Sequence, residues 1–512
     1  MLSLLSGLAL LAISFLLLKL GTFCWDRNRL PPGPFPFPIL GNLWQLRFQL
    51  HPETLLQNIW LALSDNYDPQ ASLWVSPIPI VVLSGFQAVK EALVSNSEQF
   101  SGRPLTSLFQ DLFGEQGRAA PPAGEEDRRH MWWQQRRFCL VTLQGLGLGK
   151  LALEVQLQKQ AAELVEAFRQ ELSRSFDPQV SIVRSTVRVI GALVFGHHFL
   201  SEDPIFQELT QAIDFGLALT QGLAPEEALG GPLSPQLHDV FSRALCHLPG
   251  PHWEIFRYQG VVRSFTRREI TGRKLKAPEA LKDFINCSLA QISKAMDEPV
   301  STFHEENLVQ VVIDLFLGGT NTTATTQRWA LVYMIQHGAV QGEGPINLLL
   351  ICPDLRFPPP HMFYENATLG QNQEFCSQPS GLYRGSWFNF VVFGFSLPNP
   401  KGTIILPLCR GSVLYDPECW ETPPQFNPGH FLDKDGNFVA NEAFLPFSAG
   451  HCVCPGDQLA RMELFLMFAT LLRTFRFQLP EGSPGLKLEY IFGGTLQPQP
   501  QEICAVPRLN SP

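Results

Sequence analysis

Phe447-Ser448-Ala449-Gly450-His451-Cys452-Val453-Cys454-Pro455-Gly456 is the stretch on which the reading of this chain turns. The apolar run Leu464 to Leu472 behind it marks a helix buried almost all round, predicted over about 457–477. Cys454 thereby lies at a helix N-terminus. Unsatisfied backbone N–H groups and the positive end of the helix dipole favour a thiolate there. Gly450 and Gly456 permit tight backbone geometry and the close approach of a flat partner. A thiolate in such a loop suits an axial metal ligand. Taken alone, the loop equally allows a buried cysteine that only packs.

A second long helix is predicted upstream. Thr302 followed by Glu305 has the form of a capping box. Apolar residues run Leu308, Val311, Val312, Leu315, Phe316 and resume at Trp329, Leu331, Val332 and Met334, and Gly338 ends the pattern. About 35 residues, or roughly 50 Å of helix, are expected, and so long a helix belongs at the centre of a fold. Its middle, Gly318-Gly319-Thr320-Asn321-Thr322-Thr323, is costly, each glycine losing about 1 kcal/mol against alanine. The glycines thin the helix so that a flat ligand can reach its backbone, and threonine hydroxyls can bond helix carbonyls or a ligand. A packing notch would have the same composition.

Working outward, the chain has 512 residues, 45% hydrophobic and 17% charged, with a net charge of −9. It is too apolar for overall disorder, and its acidic balance argues against a nucleic-acid partner. Its 11 cysteines are odd in number and widely spaced, with no C-x-x-C, which fits a reducing compartment. A zinc site from His451, Cys452 and Cys454 lacks a fourth well-placed ligand.

Met1 to Leu18 carries no charged side chain. Residues 1–23 read as a transmembrane signal-anchor of about 30 Å, with Lys19, Arg27 and Arg29 following it. The positive-inside rule then places the rest of the chain in the cytosol, where the sequons at Asn286, Asn321 and Asn366 would stay unmodified. Pro31, Pro32, Pro34, Pro36 and Pro38 make 24–41 a stiff hinge. Beyond it, 42–508 reads as one large domain. It has a β-like run at Ile78–Val82, amphipathic helices over 150–215 and 260–295, and a Gly- and Pro-rich loop over 222–252.

Phe447 to Gly456 resembles the haem-binding loop of cytochromes P-450: Phe, two residues, Gly, three residues, Cys, one residue, Gly. Gly318 to Thr323 resembles the oxygen-activating segment of that family's long central helix. The proline hinge, Phe100-Ser-Gly-Arg103-Pro, Trp132 with Arg136, Pro400-Lys-Gly-Thr403 and Phe426-Asn-Pro-Gly-His430-Phe match its microsomal family 2. The run from Thr302 to Met334 is most similar to the J-type subfamily. The resemblance covers roughly 1–338 and 399–508.

The resemblance implies a mainly α fold with small β-sheets and haem b as cofactor. Cys454 would be the thiolate ligand of its iron, with Phe447 packed beside the ligand and Gly450 and Gly456 shaping the loop. Trp132 and Arg136 would reach a propionate. Thr322 would support proton delivery during oxygen activation, with Asn321 beside it, while Phe109 and Phe113 would line an apolar substrate pocket. The implied reaction is RH + O₂ + NADPH + H⁺ → ROH + H₂O + NADP⁺. Lipophilic substrates are implied, fatty acids such as arachidonate or xenobiotics. So are NADPH-cytochrome reductase, cytochrome b5 as an optional partner, and the endoplasmic reticulum membrane.

The sequence departs from the family in four places. Cys452 stands where an Arg usually pairs a propionate. Asn321 stands where an acid usually precedes the Thr, and an amide cannot shuttle a proton as a carboxylate does. Residues 116–131 form a charged, Pro-bearing approach to Trp132. Most serious, 339–398 holds six charged residues in 60, many prolines and glycines, and no Glu-x-x-Arg. That segment reads as foreign sequence. It supports an alternative in which the chain is an inactive, membrane-anchored relative lacking the Glu-x-x-Arg helix.

Overall fold

A computed structural model describes residues 21, 27–42, 70–100, 125–146, 151–220, 251–275, 283–295, 301–342, 383–407 and 413–508, with short interruptions. Among the described residues no helix is long and apolar enough to cross a membrane. The anchor expected over 1–23, except Gly21, lies outside them, as do Phe109 and Phe113. The chain divides into two compact units, one of 1–104, 381–423 and 449–452, the other of 105–380, 424–448 and 453–512.

The first unit is built on a four-stranded sheet. β1 (Gln70–Val75) and β2 (Ile78–Leu83) run antiparallel with Gln70 opposite Leu83. A short helix, α1 (Phe86–Lys90), follows β2. β3 (Tyr383–Gly385), β4 (Phe388–Val392), β5 (Phe395–Asn399) and β6 (Thr403–Pro407) come from much later in the chain. β6 lies parallel to β2, Ile80 opposite Ile404, and β3 pairs antiparallel with β6, giving the order β1-β2-β6-β3. β4 and β5 form a separate two-stranded ribbon. Strands therefore occupy 383–399, inside the segment that reads as foreign.

The prolines of the predicted hinge are held against β1. Lacking N–H groups they act as acceptors: Ser72 donates its hydroxyl to Pro31 O (2.7 Å) and its amide to Pro32 O (3.1 Å). Asn42, fully buried, accepts from the Trp74 amide at 2.8 Å and donates to Pro34 O at 3.2 Å.

The second unit is helical: α2 (Glu125–Leu146), α3 (Leu151–Arg169), α4 (Gln179–Phe195), α5 (Pro204–Thr220), α6 (Pro251–Lys274) and α7 (Phe284–Lys294) precede the central helix α8 (Glu305–Gln336). A one-turn α9 (Gly338–Gly342) and then α10 (Asp457–Thr474) are the last α-helices among the described residues. Two ribbons finish the unit, β7 (Phe475–Gln478) with β10 (Cys504–Pro507), and β8 (Tyr490–Gly493) with β9 (Thr495–Pro498).

Several boundaries differ from the expected ones for physical reasons. Helix α2 includes 125–131, expected as loop. The capping box at Thr302 does not form: its hydroxyl donates to Gln134 at 2.8 Å and its carbonyl accepts from Gln135 at 2.9 Å, so the central helix starts later. His304 caps it instead, its Nδ1 accepting from the Asn307 amide. That use needs a neutral imidazole, and burial lowers the His304 pKa. Helix α10 stops at Thr474, not 477, because Phe475 and Phe477 alternate with exposed neighbours and pair with β10.

The core of this unit is aromatic. Phe168, Phe195, Phe206, Phe284, Phe316, Trp329, Phe475 and Phe477 are its largest fully buried side chains. Phe168 lies 5.0 Å from Phe176 and 6.0 Å from Phe477, both edge-on, and 6.2 Å from Phe475. Gln341, 3% exposed, ties the end of α9 to β7: its side chain donates to Met334 O (3.1 Å) and Phe477 O (3.0 Å) and accepts from the Phe477 amide. Arg508 donates to its carbonyl at 2.8 Å. Phe168→Ala removes the ring joining α3 to β7 and is expected to cost about 3–5 kcal/mol. Equilibrium denaturant unfolding checks this, and a loss below about 1 kcal/mol would contradict this packing.

Candidate functional site

Helix α8 is buried continuously from Thr320 to Val332, so polar side chains in its middle must find partners inside the protein. They use their own helix: Thr320 donates to Phe316 O (2.6 Å), Thr322 to Gly318 O (2.7 Å) and Thr326 to Thr322 O (2.8 Å). A Cβ on Gly319 would overlap the end of the Ile190 side chain on α4. Packing therefore accounts for Gly319, and both glycines line a cavity.

That cavity holds about 730 Å³ of atom-free space. It is lined from α8 by Asp314, Leu315, Gly318, Gly319, Thr322 and Thr323, and from the Cys454 loop and the start of α10 by Phe447, Cys454, Pro455, Gly456, Leu459, Ala460 and Glu463. Leu143, Ile190, Leu193 and Val194 close it with apolar surface. Of the residues singled out in the sequence, Thr322, Phe447, Cys454 and Gly456 meet here.

The Cys454 loop is shaped by its backbone. The Cys454 amide donates to Phe447 O at 2.9 Å, and Ser448 takes a φ of 60°, a left-handed conformation costing a non-glycine residue roughly 1–2 kcal/mol. Its hydroxyl is buried without a partner. Gly456 caps α10 without a side-chain bond, and Asp457 supplies the acid favoured at a helix start.

The other predicted residues stand outside the cavity walls. Arg136, 3% exposed, donates to Val453 O, and its guanidinium lies 5.6 Å from the Trp132 ring four residues earlier. The Trp132 indole N–H is buried without a partner. Asn321, 5% exposed, accepts from Thr325 (3.1 Å) and from Gln497 of β9 (3.3 Å). Gly450 belongs to the first unit, where its φ is 69° and a Cβ would overlap the Leu93 carbonyl.

Two acids in the walls were missed in the sequence. Asp314, which lines the cavity, accepts from Gln310 at 2.8 Å; burial raises its pKa to about 7 against that bond and the charge of Arg263. Glu463 is fully buried and neither carboxyl oxygen makes a hydrogen bond of good geometry. Burial pushes its pKa well above 4.5, the nearby Thr186 hydroxyl offsetting part of the shift. The available signal was a lone carboxylate inside each apolar stretch.

These residues fit haem. A soft sulfur donor opens on a cavity with apolar walls, the acid beside it is held neutral, and the orphaned Trp132 N–H beside Arg136 offers donors to an acidic edge. Since folded Glu463 keeps a proton that the unfolded chain releases above about pH 4.5, stability falls as pH rises from there, by up to about 1.4 kcal/mol per unit, until the folded pKa is passed. Glu463→Gln is expected to abolish that slope. Denaturant unfolding at pH 5 and pH 7 tests it, and equal slopes in parent and variant would refute a buried neutral acid.

The family model "Cytochrome P450" matches residues 31–343 and 387–505. The unmatched stretch is therefore 344–386, narrower than the 339–398 that reads as foreign. Cytochrome P450 2D9 of Mus musculus is 37% identical over 489 residues, 94% of this chain and 93% of its own length. Cytochrome P450 2D27 of Mesocricetus auratus is 36% identical over 490 residues, 94% of each chain. Cytochrome P450 2J2 of Homo sapiens is 34% identical over 486 residues, 94% of this chain and 91% of its own. Similarity thus extends to D-type as well as J-type relatives. A cysteine loop sharing a cavity with a threonine-bearing central helix, with family matches at both places, makes this chain a member of the cytochrome P450 family, whose cofactor is haem.

Proposed function

We propose that this protein is a haem-thiolate monooxygenase of the endoplasmic reticulum membrane, its catalytic part facing the cytosol, that inserts one oxygen atom from O₂ into lipophilic substrates such as fatty acids or xenobiotics. Its electrons come from NADPH through a separate membrane-bound reductase, with cytochrome b5 as an optional donor. The observation that carries the proposal is Cys454 and Thr322 lining one largely apolar cavity.

Haem, when bound, supplies the redox chemistry that divides dioxygen between product and water, in RH + O₂ + NADPH + H⁺ → ROH + H₂O + NADP⁺. The chain supplies the rest. Cys454 gives the thiolate, and Phe447 packs beside it and shields it from water. Gly456 leaves room against the sulfur, and Gly450 fixes the turn before it. Trp132 and Arg136 donate to the acidic edge of the cofactor. Thr322 holds a proton at Oγ1, and Leu143, Ile190, Leu193 and Val194 exclude water. Asn321 holds its place by hydrogen bonds to Thr325 and Gln497 and has no acidic proton to offer, so slow or uncoupled turnover is expected.

A second reading, an inactive relative, draws support from 344–386, which the family model does not match, and from Cys452 in place of the usual Arg. The reduced carbon-monoxide difference spectrum of membranes holding the full chain separates the two. A thiolate-type Soret band that disappears in Cys454→Ala supports the enzyme, and a parent without pigment supports the inactive relative. In an active parent, Asn321→Asp is expected to lower peroxide leakage per NADPH consumed by about 100-fold, the low end of what a positioned acid contributes. An unchanged leak would remove the role given to Asn321.

A further inference from the structure

We infer that Arg461 is a positioning residue that acts on the Cys454 ligand through the Phe447 ring, with Asp457 setting how much of its charge is felt; this rests on the haem-thiolate reading above. Arg461 lies one turn into α10, and its guanidinium carbon is 4.5 Å from the centre of the Phe447 ring, within the range of a cation–π contact. Asp457, one turn earlier, holds the same guanidinium by an Nε–Oδ2 contact of 3.5 Å. Their side chains are 18% and 33% exposed, so solvent screens the pair only in part. Phe447 is 2% exposed, and its carbonyl accepts the Cys454 amide at 2.9 Å. Carboxylate and guanidinium, then guanidinium and ring, are thus in direct contact, and the residue that carries the ring is bonded through its backbone to the residue that carries the sulfur.

The physical consequence is a bias on electron uptake. Ferric iron accepts one electron, from dithionite in the laboratory or from a reductase, and the thiolate-ligated centre becomes more negative by one unit. A fixed cation behind the ring favours the reduced form, and an anion beside that cation weakens the effect. The planar guanidinium also restrains the ring, which a point charge on a flexible stem does less well.

The test is the reduction potential of pigmented protein, followed optically during dithionite titration, for the parent and for Arg461→Gln, Arg461→Lys and Asp457→Asn. Arg461→Gln is expected to shift the potential downward, Asp457→Asn upward, and Arg461→Lys to recover most of the parent value. Loosened packing would move both neutral variants in the same direction, so opposite signs are the signature of charge acting through the ring. If Arg461→Gln holds no haem, the upward shift in Asp457→Asn and the recovery in Arg461→Lys decide the question. A parent that binds haem, with Asp457→Asn unshifted or shifted downward, overturns the inference and leaves the haem-thiolate reading standing. A parent that takes up no haem overturns both.

Discussion

The hydrogen bond from the Cys454 amide to the Phe447 carbonyl is the constraint on which the site depends. It closes a seven-residue step in the backbone and brings the sulfur and the ring to one wall of one cavity. The left-handed Ser448 is part of the cost of that closure. Helix α10 begins just beyond, so the unsatisfied amides of its first turn lie close to the sulfur in sequence. A loop without this closure could carry the same residues and present no ligand.

The α8 lining of the cavity obeys a different constraint. Helix α8 passes through the core with Thr320 to Val332 all buried, so each hydroxyl must be satisfied or cost stability. Self-bonding to carbonyls one turn back meets this need and leaves the helix surface smooth. Gly319 lets α4 approach, and both Gly318 and Gly319 line the cavity.

Much of this was legible in the sequence. The glycine-bracketed Cys454, the long apolar period from Leu308 to Met334 and the apolar β-like run Ile78–Val82 are local patterns, and local patterns report local structure. The family resemblance rested on the same patterns. What escaped was set by distant partners. Thr302 failed as a cap because Gln134 and Gln135 claimed it. Phe475 and Phe477 left the helix because Ala505 and Pro507 were available for pairing. Glu463 hid within an apolar helix, and its burial depends on α4, more than 250 residues earlier in the chain. The Gly319 notch is explained by Ile190, more than 100 residues earlier in the chain.

Gln341 closes the helical unit at its edge. Its amide side chain occupies Met334 and both backbone groups of Phe477, and its main-chain carbonyl holds Arg508. The family pattern breaks off two residues later, at 343. The clasp thus fastens α9 to β7 and to Arg508 through side-chain and main-chain bonds alike, so tension on the chain at this point is borne by the ribbon before it reaches α8.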